Sequence, residues 1–73
     1  MHKIIINKEP IELYKILKFE GLVATGGEAK AVISDGLVKL NDQVETQKRK
    51  KIMNEDKIEF AGEKYSIILD INN

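Results

Sequence analysis

Seventy-three residues without a cysteine make one small domain, residues 1–73, whose core no disulfide or thiolate metal site reinforces. The 12 basic and 12 acidic side chains cancel to a formal net charge of zero. The apolar runs are too short to span a bilayer, and the N-terminus lacks the apolar core and cleavage site of a signal peptide, so no membrane partner is expected and the expected setting is cytoplasmic.

Residues 3–6, Lys-Ile-Ile-Ile, are rich in β-branched side chains and precede Asn7-Lys8, which predicts a short strand and a turn. Pro10 suits the first turn of a helix, where its missing N–H costs nothing. Leu13, Ile16 and Leu17 then fall at helical spacing, with Tyr14 beside them and Lys15 and Lys18 off the stripe. Gly21 stands where a left-handed residue ends such a helix. After Leu22-Val23-Ala24, Thr25 and Glu28 form a capping-box pattern. The second helix that it starts has Ala29, Val32 and Ile33 as its buried stripe and Gly36 as its stop.

Leu37 to Leu40 is a strand candidate, Asn41-Asp42 a tight turn tolerant of positive φ, and Gln43 to Glu45 the returning strand. Thr46 to Lys51 is polar and basic. Asn54 to Lys57 is a second turn, Ile58 to Phe60 alternates as a strand, Ala61 to Glu63 turns again, and Tyr65 to Ile71 is the last strand. The order of strand, two helices and then several short strands implies an α+β fold. Two helices would pack on one face of a small, mainly antiparallel sheet of four to five short strands. The aromatic residues Tyr14, Phe19 and Phe60 are expected in or beside the core, with no platform for stacking bases.

Little here supports catalysis. The one histidine, His2, is terminal, and neither Ser34 nor Ser66 has an evident base. Glu55-Asp56 falls in a predicted turn and reads as a solvated pair. No phosphate-loop, dinucleotide or zinc spacing occurs. No enzyme activity, cofactor or small-molecule substrate is expected.

Two features point elsewhere. Lys48, Arg49, Lys50 and Lys51 are consecutive, and without them the chain holds 8 basic against 12 acidic residues, a net of −4. An acidic chain thus carries one concentrated cationic strip, and such a strip matters to a polyanion more than net charge does. In a strand its members would alternate between faces; in a loop all four could reach one partner. Lys39 on the preceding hairpin is a candidate to join them. Gly26 and Gly27 are the second feature. They are poor helix formers in a first helical turn. Either they relieve a close approach between the helices, or their bare amides attract a phosphate that Lys30, one turn on, would clamp.

At this point the chain resembles a known family. Leu13, Ile16-Leu17, Gly21-Leu22, Thr25, Ala29-Lys30, Ile33, Gly36, Val38, Leu40 and Asn41 match the RNA-binding domain named after small-subunit ribosomal protein S-four, the alpha-L motif. Within it, the chain looks like the small stand-alone bacterial members, in which Gly-Gly or Ser-Gly precedes Ala-Lys and a basic run follows the hairpin. The resemblance implies two helices on a small, bent antiparallel sheet. It implies binding of structured RNA, in many relatives ribosomal or transfer RNA, with an association with the ribosome and translation. It carries an RNA-contacting role to Lys30, and less directly to Lys39 and the basic run. Three positions depart from the family: Gly26 replaces an arginine, Glu12 a common basic residue, and Asp42 the hairpin glycine. The departures move weight from the second helix to the strip.

The expected interface is therefore Gly26, Gly27, Lys30, Lys39, Lys48, Arg49, Lys50 and Lys51, gripping RNA phosphates. The alternatives are a protein-interaction adaptor without nucleic acid, and duplex DNA binding. The DNA reading ranks lower because no helix rich in Arg, Asn or Gln is present to read a groove.

Overall fold

The structure is a computed structural model and describes residues 1–71. In β1 (His2–Ile6), Ile4 and Ile6 turn into the core and Ile5 turns out, the period of two expected of a half-buried strand. Pro10 does not enter a helix. It follows a cis peptide bond from Glu9 and leads into β2 (Ile11–Glu12), a two-residue strand that no sequence pattern announced. β2 pairs antiparallel with β5 (Lys51–Ile52), placing Ile11 opposite Ile52 and Glu12 opposite Lys51.

That pairing moves the start of α1 (Leu13–Phe19) past the proline. The amides of Leu13 and Tyr14 donate to the carbonyls of Lys50 and Lys48, at 2.9 and 3.1 Å. First-turn amides lack partners within a helix, so these carbonyls do the work of a capping side chain, and Glu12 provides none. The helix closes through the amides of Glu20, Gly21 and Leu22, with Gly21 at φ +72°.

α2 (Gly26–Ser34) starts at the predicted cap: Thr25 Oγ1 accepts from the Glu28 amide at 3.0 Å. The reciprocal bond lands one residue early, since Glu28 Oε1 accepts from the Ala24 amide at 2.7 Å. Ala29 and Ile33 are buried as expected, whereas Val32 is half-buried. Gly36 ends the helix region at φ +78°.

Two hairpins follow. β3 (Val38–Leu40) and β4 (Gln43–Val44) flank Asn41 and Asp42 at φ 51° and 71°. β6 (Lys57–Phe60) and β7 (Glu63–Leu69) flank Ala61 and Gly62 at φ 54° and 81°. Positive φ at both central residues is the two-residue turn whose twist matches antiparallel strands. Because the second turn takes only two residues, β7 starts and ends two residues earlier than the sequence predicts, and Ile71 lies exposed beyond it.

The main sheet runs β1-β7-β6-β3-β4, antiparallel except where β1 lies parallel to β7. Both helices cover one face. Leu13, Ile16 and Leu17 of α1 and Ala29 and Ile33 of α2 are buried with Ile4, Val38, Ile58 and Ile67 of the sheet and Ile52 of β5. Fully burying each large aliphatic side chain contributes about 1.5–3 kcal/mol, so these few residues carry most of a small core.

Of the acidic pair in the turn before β6, Glu55 is exposed as the sequence suggests, whereas Asp56 is engaged. Asp56 accepts from the Met53 amide at 2.8 Å and from Asn41 Nδ2 at 3.2 Å. Asn41 Oδ1 in turn accepts from the Lys57 amide at 2.9 Å. Asn54 donates its amide to Glu9 and accepts from Leu69. Asp56 is a fastener between two hairpins. The aromatic expectation also needs correction: Phe60 and Tyr65 pack against the core, but Phe19 is 66% exposed. At the last residue of a short helix its side chain falls beyond the stripe that Leu13, Ile16 and Leu17 define.

Candidate nucleic-acid interface

Tyr14 is the centre of the cationic surface. It follows Leu13 on α1, so its ring lies at the edge of the buried stripe, half-buried, with one side packed on the core and the other toward α2 and the 48–51 segment. Lys30 Nζ of α2 lies 4.7 Å from the ring centre and the Arg49 guanidinium 5.7 Å. Lys15 Nζ, at 6.0 Å, stands at the limit of a cation–π contact. Cations from α1, α2 and the basic segment thus meet on one aromatic ring. The quadrupole of the ring offsets part of their mutual repulsion.

The basic run resolves into a loop and the start of a strand. Residues 48 and 49 form a turn, closed by the Lys50 amide on the Gln47 carbonyl at 3.2 Å, and Lys51 opens β5. All four side chains are exposed. The carbonyls of Lys48 and Lys50 accept from α1, so the backbone of the run is fixed to the helix while its side chains stay in solvent. Its polar appearance in sequence gives no hint of that anchorage.

Glu12, which replaces a common basic residue, has a definite place. Its carboxylate lies 3.3 Å from Lys15 Nζ and 3.7 Å from the Arg49 guanidinium. Exposed pairs of this kind are worth little in stability. Here the carboxylate acts as a tether that holds two cations side by side.

Gly26 faces α1. A Cβ there would meet Lys18 Cδ at 3.8 Å and Tyr14 Cε2 at 4.0 Å, which is ordinary contact. At Gly27 it would meet only Thr25 Oγ1, at 3.8 Å. Helix packing therefore does not demand glycine at either position. The Thr25 cap takes the Glu28 amide and the next backbone bond runs from Ala29 to Thr25, so neither uses the amides of Gly26 and Gly27. Glu28 also adds an acid to this turn, but its carboxylate is turned back onto Ala24.

Of the residues that the sequence singles out, Lys30 and Arg49 converge on Tyr14, with Gly26 beside them and Lys48, Lys50 and Lys51 on the segment that carries Arg49. Lys39 does not converge. Val38 and Leu40 turn inward, so Lys39 points from the sheet face opposite the helices, paired in register with Val44 and Glu59. The sequence reading missed Tyr14 as an organiser, and Lys15 and Lys18 as neighbours of the ring and of Gly26. Helical spacing held the signal, since Tyr14, Lys15 and Lys18 all flank the apolar stripe. Among the described residues no group of three or more His, Asp or Glu is placed to hold a metal ion, and no helix is long and apolar enough to cross a membrane.

Comparison with known proteins agrees with this geometry. YbcJ of Escherichia coli (strain K12) is 39% identical over 64 residues, covering 86% of this chain and 91% of that protein, and YbcJ of Shigella flexneri matches equally. The solution structure of the E. coli protein, reported to reveal an alpha-L motif involved in RNA binding, superposes with a TM-score of 0.70 at 38% identity. That match covers 93% of this chain and 87% of the other. The crystal structure of 30S ribosomal protein S4e from Thermoplasma acidophilum gives a TM-score of 0.68 at 26% identity, over 82% of this chain and 32% of that one. The sequence profile of the S4 domain matches residues 4–68. With its two helices, its five-stranded and two-stranded sheets and a profile match across nearly its whole length, the chain belongs to the S4 domain family.

Proposed function

We propose that this protein binds structured RNA through backbone phosphates and acts as a binding module, with no catalytic step and no cofactor. The observation that carries this reading is the meeting of Lys30, Arg49 and Lys15, from three segments of the chain, on the Tyr14 ring. Phosphates on successive nucleotides present charge at a regular spacing, and cations fixed on a common scaffold neutralise several at once. Lys48, Lys50 and Lys51 extend the grip along the backbone. The amides of Gly26 and Gly27, next to Lys30, offer a further phosphate contact at the start of α2. Lys39 is an outlying contact on the other face of the sheet.

The RNA we assign is ribosomal or transfer RNA, met in the cytoplasm on or near the ribosome during translation. The likeness to a 30S ribosomal protein supports that choice. In-cell crosslinking followed by sequencing of the attached RNA tests it, and enrichment no greater than for an inert protein would remove it. In vitro, neutralising about five phosphates of a duplex-like RNA gives a log–log salt slope near −4. A salt-insensitive interaction, or equal competition by a matched DNA duplex, would overturn the RNA reading.

A further inference from the structure

Phe19 is the largest side chain left in solvent next to the cationic surface. It forms one wall of an open cleft of about 340 Å³, near the lower end of the roughly 300–1,000 Å³ usual for ligand clefts. Pro10 and Ile11 give the cleft an apolar floor, and Lys8, Lys15 and Lys51 border it. Lys18 Nζ stands 5.6 Å from the Phe19 ring centre. Lys15 and Lys51 belong both to this border and to the proposed phosphate grip, so the cleft continues that surface.

We infer that this cleft receives one unpaired base of the bound RNA, stacked on Phe19, with its flanking phosphates held by Lys8, Lys15 and Lys51. The inference rests on the RNA reading above and names the feature of the RNA that is recognised. Three observations select the occupant. An aromatic ring beside an apolar floor suits a planar, weakly polar group, and bases displaced from a helix stack on such rings. A bare phosphate would use the lysines but leave Phe19, Pro10 and Ile11 wet, and it would meet the Glu12 carboxylate, which also lines the cleft. Finally, Phe19 and Ile11 also line a neighbouring cleft, of about 280 Å³, that includes Glu20 and Asp70. The Glu20 carboxylate on that side disfavours a polyanion there, which places the backbone on the lysine side. A stem with a bulged nucleotide fits both halves of the surface: the duplex lies on the cations around Tyr14 and the extruded base enters the cleft.

The test uses two RNA hairpins that differ by a single bulged 2-aminopurine, and compares the protein with Phe19→Ala and Phe19→Tyr. Phe19 is exposed, so both variants should fold, which circular dichroism and thermal unfolding verify. The expected result is tighter binding of the bulged hairpin, with its 2-aminopurine fluorescence quenched on binding. Stacking on one aromatic ring corresponds to a loss of about five- to hundred-fold for that hairpin in Phe19→Ala, with recovery in Phe19→Tyr. Equal affinity for both hairpins, or a loss in Phe19→Ala that is the same for both, overturns the base site and leaves the RNA reading standing. Failure to bind either hairpin in a salt-dependent way overturns both. Nuclease-resistant capture of a protein by the native chain but not by Phe19→Ala, with RNA affinity unchanged, would assign the cleft to a protein and overturn the inference.

Discussion

Lysines occur on two surfaces of this molecule, and only one gathers them. On the outer face of the sheet, register alternates the signs: Lys39 lies opposite Glu59, and Glu59 opposite Lys64. Lys64 Nζ also approaches Asp42 at 3.6 Å. Lys3 and Lys57 on the same face lie opposite Ser66 in register, so the cations there stand singly along the strands and share no common group. Around Tyr14, Lys15, Lys30 and Arg49 share one aromatic ring, and Lys15 and Arg49 also share one carboxylate, Glu12. The contrast shows that a count of basic residues says little about polyanion binding. What matters is whether the backbone brings cations from separate segments together on one shared group.

Removing the strip attacks that contrast most directly. Changing Lys48, Arg49, Lys50 and Lys51 together to Gln should lower affinity for a structured RNA by two or more decades at moderate salt and flatten the log–log salt slope by about three to four. Binding titrations over a range of salt concentrations measure both. Affinity that survives the four changes would show that the strip only keeps the chain soluble, and would erase the distinction between the surfaces. Tyr14→Leu is the next largest effect. It keeps an apolar body against the core but removes the ring face under Lys30 and Arg49. Each exposed cation–π contact is worth about 0.5–1 kcal/mol, so a loss of about five- to tenfold in affinity is expected with little change in salt slope. A slope that moved as far as in the quadruple variant would mean that Tyr14 holds the whole loop in place rather than organising two cations.

The fold was more legible than the site, for reasons visible in particular residues. The Ile4–Ile6 alternation, the Leu13, Ile16 and Leu17 stripe, the Thr25–Glu28 box and the Asn41-Asp42 turn are local patterns, and each set its element close to where it lies. β2 was not legible, because two residues have no period; it exists only through pairing with β5, some forty positions along the chain. The same non-local pairing moved the helix start from Pro10 to Leu13 and fixed the basic run against α1. The cation cluster depends on three segments meeting, so the sequence supplied its members but not its membership. Lys30 and the run stand out as charges near glycines and in sequence, hydrophobicity places Tyr14 at the core, and only proximity in the chain and the family resemblance group Lys39 with the run.

A smaller effect tests whether α2 presents Lys30 through its cap. Thr25→Ala removes the acceptor of the Glu28 amide and should cost about 1 kcal/mol of stability, read from denaturant unfolding. Because Glu28 also holds Ala24, the first turn should stay formed, and RNA affinity should fall less than in Tyr14→Leu. A larger loss of affinity than of stability would place the start of α2 itself in the contact, and would favour a phosphate at Gly26 and Gly27.

The smallest expected effect decides how sharply the two surfaces differ. Lys39→Gln removes an exposed cation opposite Glu59 in register, so stability should stay within about 0.5 kcal/mol. As one outlying phosphate contact it should change the salt slope by less than one and affinity by about twofold. Lys30→Gln, equally a single charge, removes a cation held on the Tyr14 ring and should cost several-fold more. The two substitutions alter charge identically, so composition predicts equal losses, whereas the placement of the side chains predicts unequal ones. Equal losses would mean that the RNA wraps round the sheet edge and reads both faces, and the division between a gathered and a dispersed set of cations would then fail.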